Sequence, residues 1–159
     1  PSGLEEPGIA GSKEEARKKL GLAQEGIYVG LVGRINRVKG QGILLDAAKD
    51  ALKTHSSARF VCLGDASPGE DWRREELAGR IAREGLENRF LLKPFEEDVA
   101  VFYRAMDIVA VPSTAPDAFP AVCIEAGLHG KPVLAFAEGG IGEIVQYGKT
   151  GFCVAPCDT

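Results

Sequence analysis

The chain has 159 residues, of which 45% are hydrophobic and 26% charged. These values are typical of a single globular domain and exclude disordered, collagen-like and coiled-coil proteins. The formal net charge of −4 has the wrong sign for a protein that holds nucleic acid by its overall field, so we expect no nucleic-acid partner.

The four cysteines form no CxxC pair, which argues against a zinc site, and Cys62 and Cys123 are interpreted as small buried residues. No segment resembles a signal peptide, and apolar runs such as 27–33 are too short to span a membrane. These features predict a cytoplasmic protein. The sequence begins at Pro1 without a Met, which indicates a piece of a longer protein.

Residues 1–11 combine Pro, Gly and Glu without periodicity, which predicts a linker or entering loop before a domain over 12–159. Ser12 and Glu15 have the spacing of a capping box for a short helix that ends at Gly21. The apolar run 27–33 then predicts a strand buried on both faces.

Strands and helices continue to alternate along the rest of the chain. The predicted helices cover 41–53, 68–85, 96–106, 119–130 and 139–148, and the predicted strands cover 59–65, 89–93, 107–113, 132–137 and 151–156. The acids that begin 96–106 suit the positive end of a helix dipole. The alternation predicts an α/β fold: a single domain with a Rossmann-like, doubly wound parallel sheet of about six strands.

Ligands of such sheets bind outside the carboxyl ends of the strands, so the loops after the strands are the candidate site. In the first loop, 33–40, Gly33 allows the backbone to approach a ligand, and Arg34 and Lys39 are cations beside a helix N-terminus. This combination favours a diphosphate. The alternative is a solvated basic loop, and the spacing alone leaves both open.

Two acids bracket the loop and helix start at 117–125. Asp117 lies in the predicted loop, and Glu125 lies within an otherwise apolar helical run. A carboxylate in such a run requires a partner, because an unpaired buried charge is costly. A pair of ribose hydroxyls would satisfy Glu125, as would a neighbouring Lys, Arg or backbone amide.

Five short motifs in order resemble a known family. GR and KG follow the first strand, an acid-x7-E segment spans 117–125, and G-KPVLA, GG-x-x-E and TGF-x-V-x-P come after it. They resemble the nucleotide-sugar-binding half of the group 1, family-4 retaining glycosyltransferases over nearly the whole chain. The resemblance implies a GT-B architecture, in which two Rossmann-like domains face each other across a cleft. This chain would be the C-terminal domain, with the N-terminal acceptor domain absent.

The resemblance also implies roles for single residues. Arg34 and Lys39 match the cations that hold the donor diphosphate and neutralise the leaving group. Asp117 matches an acid near the hydroxyls of the transferred sugar, and Glu125 matches the acid that binds the ribose. The resemblance also implies that Gly33 binds the donor and that Leu92 and Lys93 contact its base through their backbone. A turn whose backbone N–H groups face the sugar and phosphate matches Phe119, Pro120, Ala121 and Val122.

Two positions depart from the family pattern. Asp117 is one methylene shorter than the usual Glu, so its carboxylate has a shorter reach toward the sugar. Pro120 stands where the family usually has Gly, and proline has no N–H to donate. Both departures affect the part of the site that selects the sugar.

The implied function is donor binding for retaining transfer of a sugar from a nucleotide-diphosphate sugar to an acceptor, a saccharide or lipid-linked glycan. The acceptor, and any membrane contact at the inner face, would require the missing domain, and the isolated fragment is expected to be inactive. No metal or other cofactor is expected. A GT-B sugar-nucleotide epimerase and a non-catalytic nucleotide-binding relative remain as alternatives.

Other functions and residues are set aside on the sequence. A nicotinamide-dependent oxidoreductase should show GxGxxG where this chain has GRINRVKG. A phosphoacceptor domain would need an acidic pair after its first strand. His55 and His129 are interpreted as surface or capping residues, and Trp72 as a packing residue.

Overall fold

The computed structural model describes residues 11–116 and 120–155. Their strands are β1 Ile27–Val32, β2 Ala58–Leu63, β3 Phe90–Lys93, β4 Ile108–Val111, β5 Val133–Phe136 and β6 Gly151–Val154. The helices are α1 Lys13–Lys19, α2 Gln41–Leu52, α3 Trp72–Arg83, α4 Val99–Ala105, α5 Ala121–Leu128 and α6 Ile141–Ile144.

All six strands form one parallel sheet in the order β3-β2-β1-β4-β5-β6. The chain therefore adds strands in one direction from β1 to β3 and in the opposite direction from β4 to β6. This is the predicted doubly wound, Rossmann-like sheet, and the prediction is confirmed. The order reverses between β1 and β4, where such sheets bind their ligands.

Helices cover both faces of the sheet because its strands are apolar on both sides. On one face, Leu44 and Leu45 of α2 and Leu77 and Ile81 of α3 pack in a cluster with Phe60. On the other face, a second cluster joins α1 and α4 to the strands, and a third surrounds α5 and β5. Burial of these apolar side chains provides most of the driving force for folding.

The N-terminal helix α1 begins as the sequence predicts. Glu15 N–H donates to Ser12 Oγ, and Ser12 N–H donates to a Glu15 carboxylate oxygen, each at 3.1 Å. The helix is fixed to the sheet by Arg17, which is 4% exposed. Its guanidinium donates to the Ala105 carbonyl at 3.0 Å and to Asp107 Oδ2 at 2.8 Å.

Helix α4 begins later than predicted. We expected the acids at 96–98 to lie in its first turn, but the helix begins at Val99 with Asp98 at the N-cap, and its first turn contains no acid. That expectation was wrong because Asp98 has φ −85° and ψ 75°, outside the helical region. Helix α6 is also shorter than predicted, with four residues.

The buried cysteines agree with the interpretation from sequence. Cys62 and Cys123 are 2% and 3% exposed. Burial raises the pKa of the Cys62 thiol to about 12, so it stays protonated and packs as an apolar group.

Within 11–116 and 120–155, no helix has the length and apolar character that crossing a membrane requires.

Candidate functional site

The loop between β1 and α2 is held in shape by its own polar side chains. Asn36 Oδ1 accepts hydrogen bonds from the main-chain N–H groups of Val38 and Lys39, both at 2.9 Å. Gln41, which is 2% exposed, donates from Nε2 to the Arg34 carbonyl at 2.8 Å. The two predicted cations, Arg34 and Lys39, therefore extend from a loop with a defined backbone.

Neighbouring strand ends fix this loop from both sides. Ile35 N–H donates to the Asp65 carbonyl at 3.1 Å, after β2, and Thr114 N–H donates to the Val38 carbonyl at 2.8 Å, after β4. The loops after β1, β2 and β4 thus form one continuous surface. The sequence predicted this convergence, because parallel strands end at the same edge of a sheet.

Two of the depressions on this surface are lined by predicted site residues. The first, which we call the Lys39 hollow, has a volume of about 140 Å³ and lies between β1 and β4. It is lined by Lys39 together with Ser113 and the start of α5, and Pro120, Ala121 and Val122 all contribute. The structure therefore brings a predicted cation and three predicted donor-binding residues to one place.

The second depression, the Arg34 groove, has a volume of about 430 Å³. Gly33 and Arg34 line it, with Gly64, Asp65 and Phe95. Val32 borders both depressions, so the Lys39 hollow and the Arg34 groove adjoin each other. Each is lined by one cation of the same loop. The Phe95 ring is 64% exposed and offers an aromatic face in this groove.

The start of α5 has the electrostatics of an anion site with one donor missing. Pro120 is the N-cap residue, and its carbonyl accepts the N–H of Cys123 at 3.0 Å. Because proline carries no N–H, Ala121 and Val122 provide the first amides of the helix. The N-terminus of α5, the positive end of its dipole, and the cationic residue Lys39 therefore line the same hollow.

Glu125 lies one turn further along α5, and its partner differs from the alternatives considered from sequence. Glu125 is an exposed residue, and its carboxylate accepts a hydrogen bond from the hydroxyl of Tyr103 at 2.7 Å. Neither Lys, Arg nor a backbone amide fills that place among the described residues. The ribose-binding role of Glu125 stays a prediction.

The other predicted residues fall into two groups. Asp117 and Phe119 lie outside the described residues. Leu92 and Lys93 end the edge strand β3, and neither lines the Lys39 hollow or the Arg34 groove. The Leu92 carbonyl accepts from Arg74 at 3.3 Å, and the Lys93 carbonyl accepts from Gly64 N–H at 3.0 Å.

Residues set aside from sequence are placed away from these depressions. His129 is the C-cap of α5, with Nδ1 at 2.8 Å from the Glu125 carbonyl, so the capping interpretation is confirmed. His55 is exposed. Trp72 is 49% exposed rather than packed in the core, and the Arg73 guanidinium lies 4.4 Å from its ring centroid.

Sequence reasoning missed two residues that contact the site. Tyr103 lies within the predicted helix 96–106 and was not singled out, although a buried tyrosine hydroxyl signals a polar partner. Gln41 was not singled out, although a glutamine on a buried helix face also requires one. The partner of Tyr103 depends on how α4 and α5 pack, and the partner of Gln41 depends on the backbone path of the loop before α2, so neither partner could be read from the sequence.

The family profile described as "Glycosyl transferases group 1" matches residues 12–159. The chain belongs to the group 1 glycosyltransferases. Among curated relatives, the D-inositol 3-phosphate glycosyltransferase of Rhodococcus erythropolis is 37% identical over 149 residues, covering 91% of this chain and 33% of that protein. The protein of the same name from Corynebacterium urealyticum is 34% identical over 155 residues, covering 93% and 36%.

Solved structures show the same glycosyltransferase fold. Anabaena HepE, crystallised with UDP and glucose, has a TM-score of 0.82 at 38% identity and covers 95% of this chain and 39% of that one. The C-terminal domain of the group 1 glycosyltransferase LpcC from Francisella tularensis has a TM-score of 0.80 at 26% identity, covering 92% and 76%. This glycosyltransferase domain spans about a third of the length of the curated relatives it matches.

Proposed function

We propose that the domain binds the nucleoside diphosphate part of a nucleotide sugar at the carboxyl ends of β1 and β4. The observation that carries this proposal is the Lys39 hollow, which is lined by Lys39 and by the first residues of α5. A cation and free helix amides are complementary to a diphosphate. Membership of the glycosyltransferase family supplies the class of reaction.

The proposed chemistry is electrostatic. When the bond between the sugar C1 and the diphosphate oxygen breaks, negative charge develops on that oxygen. Lys39, Arg34 and the amides of Ala121 and Val122 stabilise this charge, and they stabilise the transition state more than the ground state. The proposed transfer retains the configuration at C1 and uses these groups in place of a metal ion.

The Arg34 groove is proposed to hold the base of the nucleoside. Its volume of about 430 Å³ is sufficient for a base, and the exposed Phe95 ring offers a stacking surface. HepE was crystallised with UDP-glucose, which makes uridine the first base to test. In the complete protein, a facing domain would bring the acceptor, a saccharide or lipid-linked glycan, to the donor, and we expect the reaction in the cytoplasm.

Calorimetric titration of the 159-residue chain with UDP, GDP and ADP tests the proposal. We expect saturable binding of one of them, and the same affinity after treatment with EDTA. A folded chain that binds none of the three would contradict donor binding. Turnover of a nucleotide sugar onto an added acceptor by this chain alone would contradict the requirement for a facing domain.

A further inference from the structure

The hydroxyl of Tyr103 connects the core of the domain to the Glu125 carboxylate. Tyr103 is 1% exposed and lies in α4, whereas Glu125 is an exposed residue of α5. The 2.7 Å hydrogen bond between Tyr103 Oη and Glu125 Oε2 therefore links a buried hydroxyl to an exposed residue and restrains the orientation of the Glu125 side chain. Such a bond to a charged acceptor is among the stronger ones in proteins.

Neighbouring rings hold the tyrosine ring in place. His129 stacks on it with centroids 5.2 Å apart, and Phe102 meets it edge-on at 6.3 Å. Burial and then the adjacent Glu125 carboxylate raise the pKa of Tyr103 above its ordinary value. The phenol is therefore a protonated donor at neutral pH.

The bond occupies one carboxylate oxygen and leaves the other available. Within the described part of the chain, no protein group donates a hydrogen bond to Glu125 Oε1. An ionised carboxylate accepts bonds at both oxygens, so Oε1 can receive a hydroxyl from a ligand. A side chain already fixed in one orientation loses less conformational entropy when that ligand binds.

We propose that Tyr103 is a positioning residue for ribose recognition: it holds Oε2 of Glu125 so that Oε1 accepts hydrogen bonds from the adjacent hydroxyls of the donor ribose. This inference rests on the proposed function and on the ribose role of Glu125. It assigns to a core tyrosine a function in selecting ribonucleotides over deoxyribonucleotides. A tyrosine that only filled the core would contribute to stability and not to this selection.

The test measures the affinities of UDP, 2′-deoxy-UDP and 3′-deoxy-UDP for four proteins. These are the unmodified chain, Tyr103→Phe, Glu125→Ala and a matched control, Tyr28→Phe. Tyr28 is also fully buried, and its hydroxyl donates to the Ala23 carbonyl at 3.1 Å. The control removes a buried hydroxyl of the same kind without touching Glu125. Thermal unfolding of each variant confirms that it is folded.

The unmodified chain should prefer UDP to at least one deoxy analogue by roughly tenfold, since the analogue lacks a bond to a charged acceptor. Glu125→Ala should abolish the preference. Tyr103→Phe should weaken UDP binding by about three- to tenfold and reduce the preference, since Glu125 is no longer fixed. Binding of the affected deoxy analogue should change little, and Tyr28→Phe should behave like the unmodified chain.

Three kinds of result would overturn the inference, and they are distinguishable. If Glu125→Ala abolishes the preference while folded Tyr103→Phe retains it, Tyr103 has no positioning role and the proposed function stands. If the unmodified chain binds UDP without preference, or Glu125→Ala keeps the preference, the ribose role of Glu125 is wrong and the inference falls with it. A chain that binds none of UDP, GDP and ADP contradicts the proposed function, and the inference falls with it.

Discussion

The backbone of Gly40 lies directly against the carbonyl group of Pro112, so closely that a Cβ on Gly40 would overlap the carbonyl oxygen. Gly40 also has φ +81°, in the left-handed region that glycine adopts without a steric penalty. Gly40 ends the loop of Arg34 and Lys39, and Pro112 begins the loop that leads to α5. This contact therefore joins the two halves of the candidate site.

Gly40→Ala should destabilise the domain by at least about 2 kcal/mol, because it adds both a left-handed alanine and a steric overlap. Urea unfolding measures the change. The control is Gly127→Ala in α5, where a Cβ meets no atom within 4 Å, and it should not lower stability. An unfolding midpoint for Gly40→Ala equal to that of the control would show that the loops are not in close contact.

Gln41→Leu should weaken nucleotide binding several-fold while changing stability by less than about 1 kcal/mol. The substitution removes the hydrogen bond from Gln41 to the Arg34 carbonyl, and this loss lowers the free energy of unfolding. It also removes Gln41 Oε1, a buried atom without a hydrogen-bond partner among the described residues. Removing that unsatisfied atom raises the free energy of unfolding, so the two effects partly cancel. Titration and urea unfolding of the same preparation separate the two effects, and unchanged affinity would exclude a role in positioning Arg34.

Pro120→Gly should change donor affinity or preference, because it adds an N–H at the start of α5. The flexible glycine should also lower the free energy of unfolding by about 1 kcal/mol. The measurement is a titration of both forms with a panel of nucleotide sugars. The same constants for every donor would show that the missing N–H at this position has no effect on binding.

The stability of the domain should fall in acid through Asp107. Its carboxylate accepts from Lys13 Nζ at 2.6 Å and from Tyr28 N–H at 2.8 Å, and pairs with Arg17 at 2.8 Å. Burial of the carboxyl favours its neutral form and raises its pKa. The hydrogen bonds from Lys13 and Tyr28, with the positive charges of Lys13 and Arg17, outweigh burial and hold the pKa of Asp107 below its usual 3.8. The carboxylate therefore stabilises the folded state above pH 4 or so, and this contribution is lost as the pH falls through its lowered pKa.

Asp107→Asn tests this interaction. It should lower the free energy of unfolding at pH 7 by about 2 to 3 kcal/mol, since buried Arg17 loses its counter-charge. It should also reduce the loss of stability below pH 4. Asp50→Asn, which breaks an exposed pair with Lys53, should have almost no effect. Equal effects of the two substitutions would contradict the account of Asp107.

The fold could be predicted from sequence because each apolar run and each capping signal is a local feature. The ends of helices and strands were predicted less accurately. The acids at 96–98 indicated the first turn of a helix, whereas helix α4 begins at Val99. The strand-end rule predicted that Lys39 and the start of α5 converge. It could not show that Tyr103 bonds to Glu125, because that contact depends on how α4 and α5 pack.

The central claim is that the Lys39 hollow holds the diphosphate, and Lys39→Ala tests it most directly. For comparison, Lys53→Ala removes an equal charge from an exposed position whose side chain is 73% accessible. Lys39→Ala should weaken UDP binding by roughly tenfold or more and leave uridine binding unchanged, while Lys53→Ala should alter neither. A Lys39→Ala protein that binds UDP as tightly as the Lys53→Ala protein would contradict the account.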